Sequence, residues 1–249
     1  MRSPARLCLL AALTAIGIAG LTALGVWQVE RRAWKLALID HVEHRVHQAP
    51  AALPPPAAWP RVNATNDAYR RLRVCGTFLH DRETLVQAVT AYGAGYWVLT
   101  PLRTRDGTTV LVNRGFVSPE RRDTATRGAA SPQAETCVTG LLRITEPGGA
   151  FLRANDAAQE RWYSRDVSAI AAARGLTGVA PFFVDADATP NPGGWPVGGL
   201  TVVAFHNNHL VYALTWFALA LMLAAAAGFV AREEWKLRRR SNYIQDGYI

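Results

Sequence analysis

The sequence predicts an α+β membrane protein in which two transmembrane helices flank one mainly-β domain, a small barrel or sandwich with a short helix. Two runs without charged residues, 7–29 and 210–231, hold 23 and 22 residues, enough to cross a hydrocarbon core about 30 Å thick. Between them, short stretches rich in β-branched and aromatic residues alternate with turn residues, which is typical of a β domain.

The first apolar run predicts a retained transmembrane helix at residues 7–29. It is longer than the apolar core of a signal peptide, about 7 to 15 residues, and Glu30, Arg31 and Arg32 follow it where a cleavage site would need small residues. Too few residues precede the run for an amphipathic mitochondrial transit peptide. We therefore expect a bacterial inner-membrane protein.

Residues 30–66 are predicted to form a juxtamembrane helix and a proline-rich linker. The helical pattern continues to His47, and Pro50 and the run Pro54-Pro55-Pro56 then stop it, because proline lacks the amide donor that a helix interior needs.

The β-rich domain is predicted at residues 67–206. Its one predicted helix covers residues 167–174, with Asp166 as the N-cap and Gly175 at the end. The predicted strands are 69–78, 84–90, 96–103, 108–114, 136–144, 181–185 and 201–205. Asn113, Arg114 and Gly115 are interpreted as a strand end followed by a tight turn.

Two of the three cysteines, Cys75 and Cys137, fall in strand-like segments of this domain. They either form a disulfide between neighbouring strands or are two separate small buried residues. The second alternative is favoured, because connectivity cannot be deduced from sequence alone.

The second transmembrane helix is predicted at residues 207–231, followed by a cytoplasmic tail at 232–249. Orientation follows from basic residues near the span ends. No Lys or Arg occurs in residues 175–231, whereas five occur in the tail: Arg232, Lys236, Arg238, Arg239 and Arg240. Both termini are therefore predicted to be cytoplasmic and the central domain periplasmic.

The net charge of +8 does not indicate nucleic-acid binding. Half of it lies in residues 30–208, which carry 20 basic and 16 acidic residues, and the rest lies in the two short tails. Attraction of these tails to anionic membrane lipid explains that excess better than a nucleic-acid footprint.

No common catalytic motif is present: the sequence lacks G-x-S-x-G, H-E-x-x-H, a Walker A loop and G-x-G-x-x-G. We therefore expect a protein that is not an enzyme. The most informative residue is His209, which directly precedes the second apolar run, because ionisable groups at a membrane boundary are rare and usually functional.

Trp27, Arg31 and Trp34 are spaced i, i+4 and i+7, on one helix face at the end of the first span. An aromatic belt with a snorkelling arginine and a helix-capping histidine would explain these residues without a ligand. A haem would use all of them: imidazole for iron, aromatic surface for the macrocycle and arginine for propionates.

The chain resembles the Surfeit locus protein family of cytochrome c oxidase assembly factors. The motifs that carry the resemblance run in order along nearly the whole chain. They are residues 24–28 (LGVWQ) with Arg31, Trp34 and Lys35, then 95–102 (GYWVLTPL), 112–117 (VNRGFV), 162–166 (WYSRD) and 207–216 (NNHLVYALTW). Two departures are Ser118, before Pro119 where a proline pair is common, and His206, a second imidazole close to His209.

The resemblance implies a non-catalytic membrane helper that binds haem a as cargo and supports its delivery to cytochrome c oxidase subunit I, in contact with haem a synthase. It implies His209 as the iron ligand. We expect Arg31 and Gln28 to hold the propionates, Trp27 to lie against the ring, and Tyr212 and Trp216 to line the second-span side. The alternative is a scaffold that stabilises a subunit I intermediate without binding haem.

Overall fold

The computed structural model describes residues 4–127, 134–150, 152–203, 205 and 207–246. The chain divides into two compact units. The first comprises Met1–Asp40 and Ala204–Ile249, and the second comprises His41–Val203.

Two long helices form most of the first unit, and the last residues of the first helix, from His41, belong to the second unit. Helix α1 spans Pro4–His47, and the C-terminal helix, α4, spans His209–Asp246. Within them, Ala5–His47 and His209–Arg239 are long and apolar enough to cross a membrane. Most of their large apolar side chains are exposed, as expected for surfaces that face lipid.

The second unit is mainly β and contains two short helices. Helix α2 spans Ala64–Asp67 and α3 spans Val167–Ala173. The strands are β1 (Ala51–Ala52), β2 (Arg71–Phe78), β3 (Thr84–Thr90), β4 (Gly93–Arg103), β5 (Thr109–Val117), β6 (Thr136–Ile144) and β7 (Val179–Ala186). The predicted fold class, two candidate transmembrane helices flanking a mainly-β domain, is confirmed.

Five of the strands close into a barrel. The sheet order is β1-β2-β6-β7-β5-β4-β3, and an additional pairing of β2 with β4 joins the two sides. The closed ring is therefore β2-β6-β7-β5-β4, and β3 extends it as a hairpin with β4. Within the ring only β5 and β7 are parallel.

Two groups of apolar side chains form the core of this unit. The first draws on all five barrel strands and consists of Leu72, Val74, Leu102, Val110, Val112, Leu142, Ala180, Phe182 and Val184. The second packs α3 and Trp162 against the other face of the sheet, on Leu99, Leu111 and Phe183. Burial of these alternating faces explains why strand periodicity is visible in the sequence.

The ends of α3 follow the sequence prediction. The Asp166 carboxylate accepts a hydrogen bond from the Ala169 amide at 3.1 Å, as an N-cap does. Gly175 has a φ of 59°, the left-handed conformation in which glycine commonly follows a helix.

The predicted strand at 201–205 is wrong for its described residues. Thr201 donates a hydrogen bond to Asp185 at the end of β7. However, β7 already pairs with β5 and β6 on its two sides and offers no free edge. Residues 201–203 therefore contact the barrel through Thr201 without joining a ladder.

The interpretation of Asn113, Arg114 and Gly115 as a strand end and turn is also wrong, because β5 continues through them to Val117. A register shift occurs here: Trp97 pairs with Phe116 and Leu99 with Asn113, so two steps along β4 match three along β5. Such a bulge bends a strand and changes the direction of its side chains. Gly115 adopts a φ of 129°, and a Cβ there would lie 2.1 Å from the Val197 carbonyl oxygen.

Cys75 and Cys137 form a disulfide, contrary to the favoured alternative of two separate residues. They are register partners in the antiparallel pair of β2 and β6, with Cα atoms 4.0 Å apart. Direct opposition on neighbouring strands brings the two Cβ atoms within bonding reach. The sequence could not show this register.

A buried carboxylate, that of Asp185 on β7, ties several strands together. It accepts hydrogen bonds from Asn113 at 2.8 Å and Arg143 at 2.9 Å, and also from Arg165 and Thr201. Two guanidinium groups and two neutral donors thus neutralise and solvate a charge that water does not reach, since Asp185 is only 2% exposed.

Candidate functional site

Helix α1 approaches α4 closely at Gly25. Gly25 is buried on α1, and a Cβ at that position would lie 2.5 Å from the Phe217 ring. On α4, Ala213 and Ala220 are 1% and 7% exposed, while most of the helix surface is open. Small residues let helices approach closely where lipid supplies no hydrophobic drive for association.

At the end of this contact, His209 and Gln28 join the two helices through a hydrogen bond. The His209 Nδ1 atom lies 2.7 Å from the Gln28 Oε1 atom. Because an amide oxygen can only accept, the contact requires a proton on Nδ1. A neutral imidazole with its proton on Nδ1 keeps the lone pair on Nε2.

The Nε2 atom of His209 makes no hydrogen bond to any residue that the structure describes. An imidazole held at Nδ1 with Nε2 free is the arrangement common to metal-ligating histidines, in which the second nitrogen fixes tautomer and ring orientation. Gln28 therefore acts on His209 as an orienting residue. The sequence prediction gave Gln28 a different role, at the propionates.

The other predicted ligand-binding residues of α1 lie on exposed helix surface. Trp27 and Trp34 are each 53% exposed, and the Arg31 guanidinium stacks 4.0 Å from the Trp34 ring centroid. This cation–π contact agrees with the predicted i, i+4, i+7 face. Arg31 thus contacts an aromatic ring of its own helix and leaves its charged edge open.

On α4, Tyr212 and Trp216 follow His209 at i+3 and i+7, which places the three side chains along one stripe. Tyr212 is 54% exposed and Trp216 is partly buried. The structure thus brings Gln28 and His209 into contact and sets aromatic surface beside them on α4. His206, the second imidazole, lies outside the described residues.

A second polar site lies in the barrel domain and is centred on Arg114. This residue is 9% exposed and lines a cavity of about 300 Å³, together with Phe78, His80 and Asn191. Its guanidinium donates to the Asn191 side-chain oxygen at 3.1 Å and stacks over the Phe78 ring at 5.1 Å. In return, Asn191 donates to the Arg114 carbonyl, which fixes both ends of the arginine.

Burial shifts two pKa values in this cavity. Desolvation lowers the pKa of Arg114, and the neighbouring Arg127 lowers it further against the opposing effect of Glu83. Desolvation also lowers the pKa of His80, and the positive charge of Arg114 adds to the shift. His80 is therefore neutral near pH 7, and its Nδ1 lies 3.5 Å from an Arg114 nitrogen as a weak acceptor.

The sequence prediction missed Arg114 as a site residue. One signal was present: Arg114 is the only charged residue in the strand 109–117, whose other residues are apolar or neutral. A single charge in such a strand lies either at a strand end or buried with polar partners, and the turn interpretation selected the first option.

Comparison with known proteins gives consistent matches over most of the chain. The model of the SURF1 family matches residues 15–221. The chain is 38% identical to Surfeit locus protein 1 of Mus musculus over 212 residues, covering 79% of this chain and 67% of that protein. It is 36% identical to the Homo sapiens protein of the same name, covering 79% and 69%, and 36% identical to a SURF1-like protein of Monosiga brevicollis, covering 84% and 83%.

Proposed function

This chain belongs to the SURF1 family, and from that premise we propose that it is a membrane-bound assembly factor for cytochrome c oxidase that binds haem a as cargo. It would support delivery of the haem to oxidase subunit I, with haem a synthase as the supplier. The observation that carries the haem proposal is the bond between Gln28 and His209, which fixes an imidazole and leaves its Nε2 free.

The residues present fit a haem. Bound haem supplies an iron that accepts a neutral nitrogen ligand, and the free Nε2 of His209 is of that kind. Trp27, Tyr212 and Trp216 offer aromatic surface to a macrocycle. Arg31 offers an accessible guanidinium that can pair with a propionate.

Gln28 has a distinct role in this proposal. By accepting the Nδ1 proton of His209, it selects the tautomer that presents Nε2 and restrains the ring. Loss of such an orienting partner typically weakens metal binding by about 10- to 100-fold without removing the ligand.

The decisive experiment loads the purified full-length protein with haem a in detergent and records its absorption spectrum. His209→Ala should abolish the bound-haem spectrum, and added imidazole should restore it in a His209→Gly variant. Gln28→Ala should keep the spectrum but weaken binding about 10-fold. His206→Ala is the control.

Two results would contradict this assignment. An equal loss in His206→Ala would make the other imidazole the ligand. A full haem complement with an unchanged spectrum in His209→Ala would reject His209 as the ligand and favour a scaffold that stabilises subunit I without cofactor.

We propose further that the protein lies in a bacterial inner membrane with both termini in the cytoplasm and the barrel domain in the periplasm. The support is the basic tail after the second span, against the absence of Lys and Arg from residues 175–231. The Cys75–Cys137 disulfide is compatible with an oxidising compartment. Alkaline phosphatase fused after Gly198 should be active and at the C-terminus inactive; the reverse pattern would invert the topology.

A further inference from the structure

The Arg114 cavity contains a buried positive charge without a matching carboxylate. Among the described residues, no acidic side chain forms an ion pair with Arg114. Its Nε atom is buried and has no hydrogen-bond partner among those residues. The guanidinium's described hydrogen-bond acceptors are the Asn191 amide oxygen and, at 3.5 Å, the neutral His80 ring. A buried guanidinium with so few acceptors is costly in free energy.

The nearest charged side chains, Glu83 and Arg127, pair with each other and leave the positive charge of Arg114 unpaired. Glu83 forms an ion pair with Arg127 at 2.6 Å, and both side chains are less than 10% exposed. Arg127 is held further by the carbonyl oxygens of Arg121 and Arg122. Glu83 therefore neutralises Arg127. The guanidinium of Arg114 is left without an ion-pair partner among the described residues, and a single carboxylate would supply one.

The cavity wall combines polar and apolar side chains in about equal parts. It includes the Phe78 ring, and the aliphatic surface comes from Ala134, Val138, Ala186, Pro190 and Pro192. A volume of about 300 Å³ is at the lower end of the range for small-molecule sites. The occupant should combine one anionic group with a compact apolar body.

The acidic residues of the same cavity restrict the charge of the occupant. Glu135 forms an ion pair with Arg105, and the Asp187 carboxylate accepts the Thr189 amide at 3.0 Å. Both line the cavity and would repel a multiply charged anion such as phosphate. A singly charged carboxylate satisfies the guanidinium with less repulsion, and its two oxygens match the paired N–H groups of arginine.

We propose that the barrel domain binds a small organic monocarboxylate in this cavity, with the carboxylate on Arg114 and the apolar part of the ligand against Phe78 and the prolines. The bulge at Gly115 and the reciprocal bonds with Asn191 hold the guanidinium in position. This site belongs to the barrel unit alone and does not depend on haem binding at His209.

The experiment is calorimetric titration of the full-length protein in a nonionic detergent, with benzoate as the probe. Benzamide, which has the same shape without charge, and inorganic phosphate are titrated in parallel. We expect benzoate to bind and benzamide and phosphate to bind at least about 10-fold more weakly. Equal binding of benzamide, or tighter binding of phosphate, would overturn the proposal.

Variants locate the binding site. Arg114→Gln should weaken benzoate binding by about 10- to 100-fold, the range expected when a charged hydrogen-bond donor is lost. Arg73→Gln, which removes an exposed arginine of β2 that does not line the cavity, should bind benzoate as the wild type does. Unchanged binding in Arg114→Gln would place the ligand elsewhere.

A measurement on the wild-type protein covers the case in which Arg114→Gln fails to fold. The ¹⁵N resonance of the Arg114 Nε atom, assigned by Arg114→Lys, should shift on addition of benzoate and stay in place on addition of benzamide. An Nε resonance insensitive to saturating benzoate would reject Arg114 as the anchor.

Discussion

Gly25 of α1 faces the Phe217 ring of α4 so closely that any larger residue must displace it, since an added Cβ would lie 2.5 Å from the ring. Gly25→Leu should therefore separate the two helices and weaken the Gln28–His209 bond at the end of their contact. We expect a lower thermal unfolding temperature in detergent and weaker haem binding.

Gly20 provides a matched control on the same helix, because an added Cβ there meets nothing within 4 Å. Gly20→Leu makes the same chemical change and should leave unfolding temperature and haem binding unaltered. Equal effects of the two substitutions would show that Gly25 is not at a close helix contact.

Removing the disulfide should destabilise the barrel domain. It links residues 62 positions apart, and in the chain-entropy treatment a loop of that length contributes about 4 kcal/mol to the free energy of unfolding. The double variant Cys75→Ser, Cys137→Ser should unfold at lower denaturant concentration by tryptophan fluorescence. Cys8→Ser, at the exposed free cysteine, should match the wild type.

Asp185→Asn should be among the most destabilising single changes in the domain. It leaves Arg143 and Arg165 beside a neutral group in a place that water barely reaches, a loss of about 3 to 5 kcal/mol in the free energy of unfolding. Asp156→Asn, which breaks the solvent-exposed pair with Arg161, should have little effect in the same denaturant titration.

Stability should fall as the pH is lowered past the ordinary pKa of histidine, 6.5, because the folded-state pKa of His80 is lowered. Below that pH the unfolded chain binds a proton that the folded chain excludes. The contribution of neutral His80 to the free energy of unfolding is therefore complete above pH 6.5 and is lost as the pH falls toward the folded-state pKa. Desolvation and Arg114 lower this pKa, and they outweigh Glu83 and Asp81.

His80→Gln should flatten the dependence of unfolding temperature on pH between about 5 and 7. His47→Gln is the control, because His47 is 71% exposed on α1. If the unfolding temperature of the wild type does not change with pH over this interval, or if His80→Gln leaves its pH dependence unchanged, the lowered pKa of His80 is contradicted.

The features that sequence predicted well are those set by local chemistry. Uncharged runs and strand alternation depend on neighbouring residues, and so do the caps at Asp166 and Gly175, because burial and backbone preference act over a few positions. The common helix face of Trp27, Arg31 and Trp34 also depends only on local spacing. The stacking of Arg31 on Trp34 follows from that spacing.

The errors concern relations between distant segments. The Cys75–Cys137 bond depends on the register of β2 against β6. Whether the segment predicted as a strand at 201–205 can join the sheet depends on which sheet edges remain free. The role of Gln28 at the propionates stays a prediction. The sequence could not show the contact of its oxygen with Nδ1 of His209, which depends on how the two helices pair. Pairing and register are not encoded in any single segment.

The closure of the barrel also determines the order in which the strands can pair during synthesis and folding. Strand β2 pairs with β6, whose first residue lies 58 positions beyond the last of β2, and β5 pairs with β7. The strands synthesised first therefore cannot complete their pairing until the later strands exist. Contacts between residues so distant in sequence form slowly. During biosynthesis the β2 edge stays unpaired until β6 is complete, and the edges of β5 and β6 stay unpaired until β7 is complete. In this interval the chain most needs protection from aggregation.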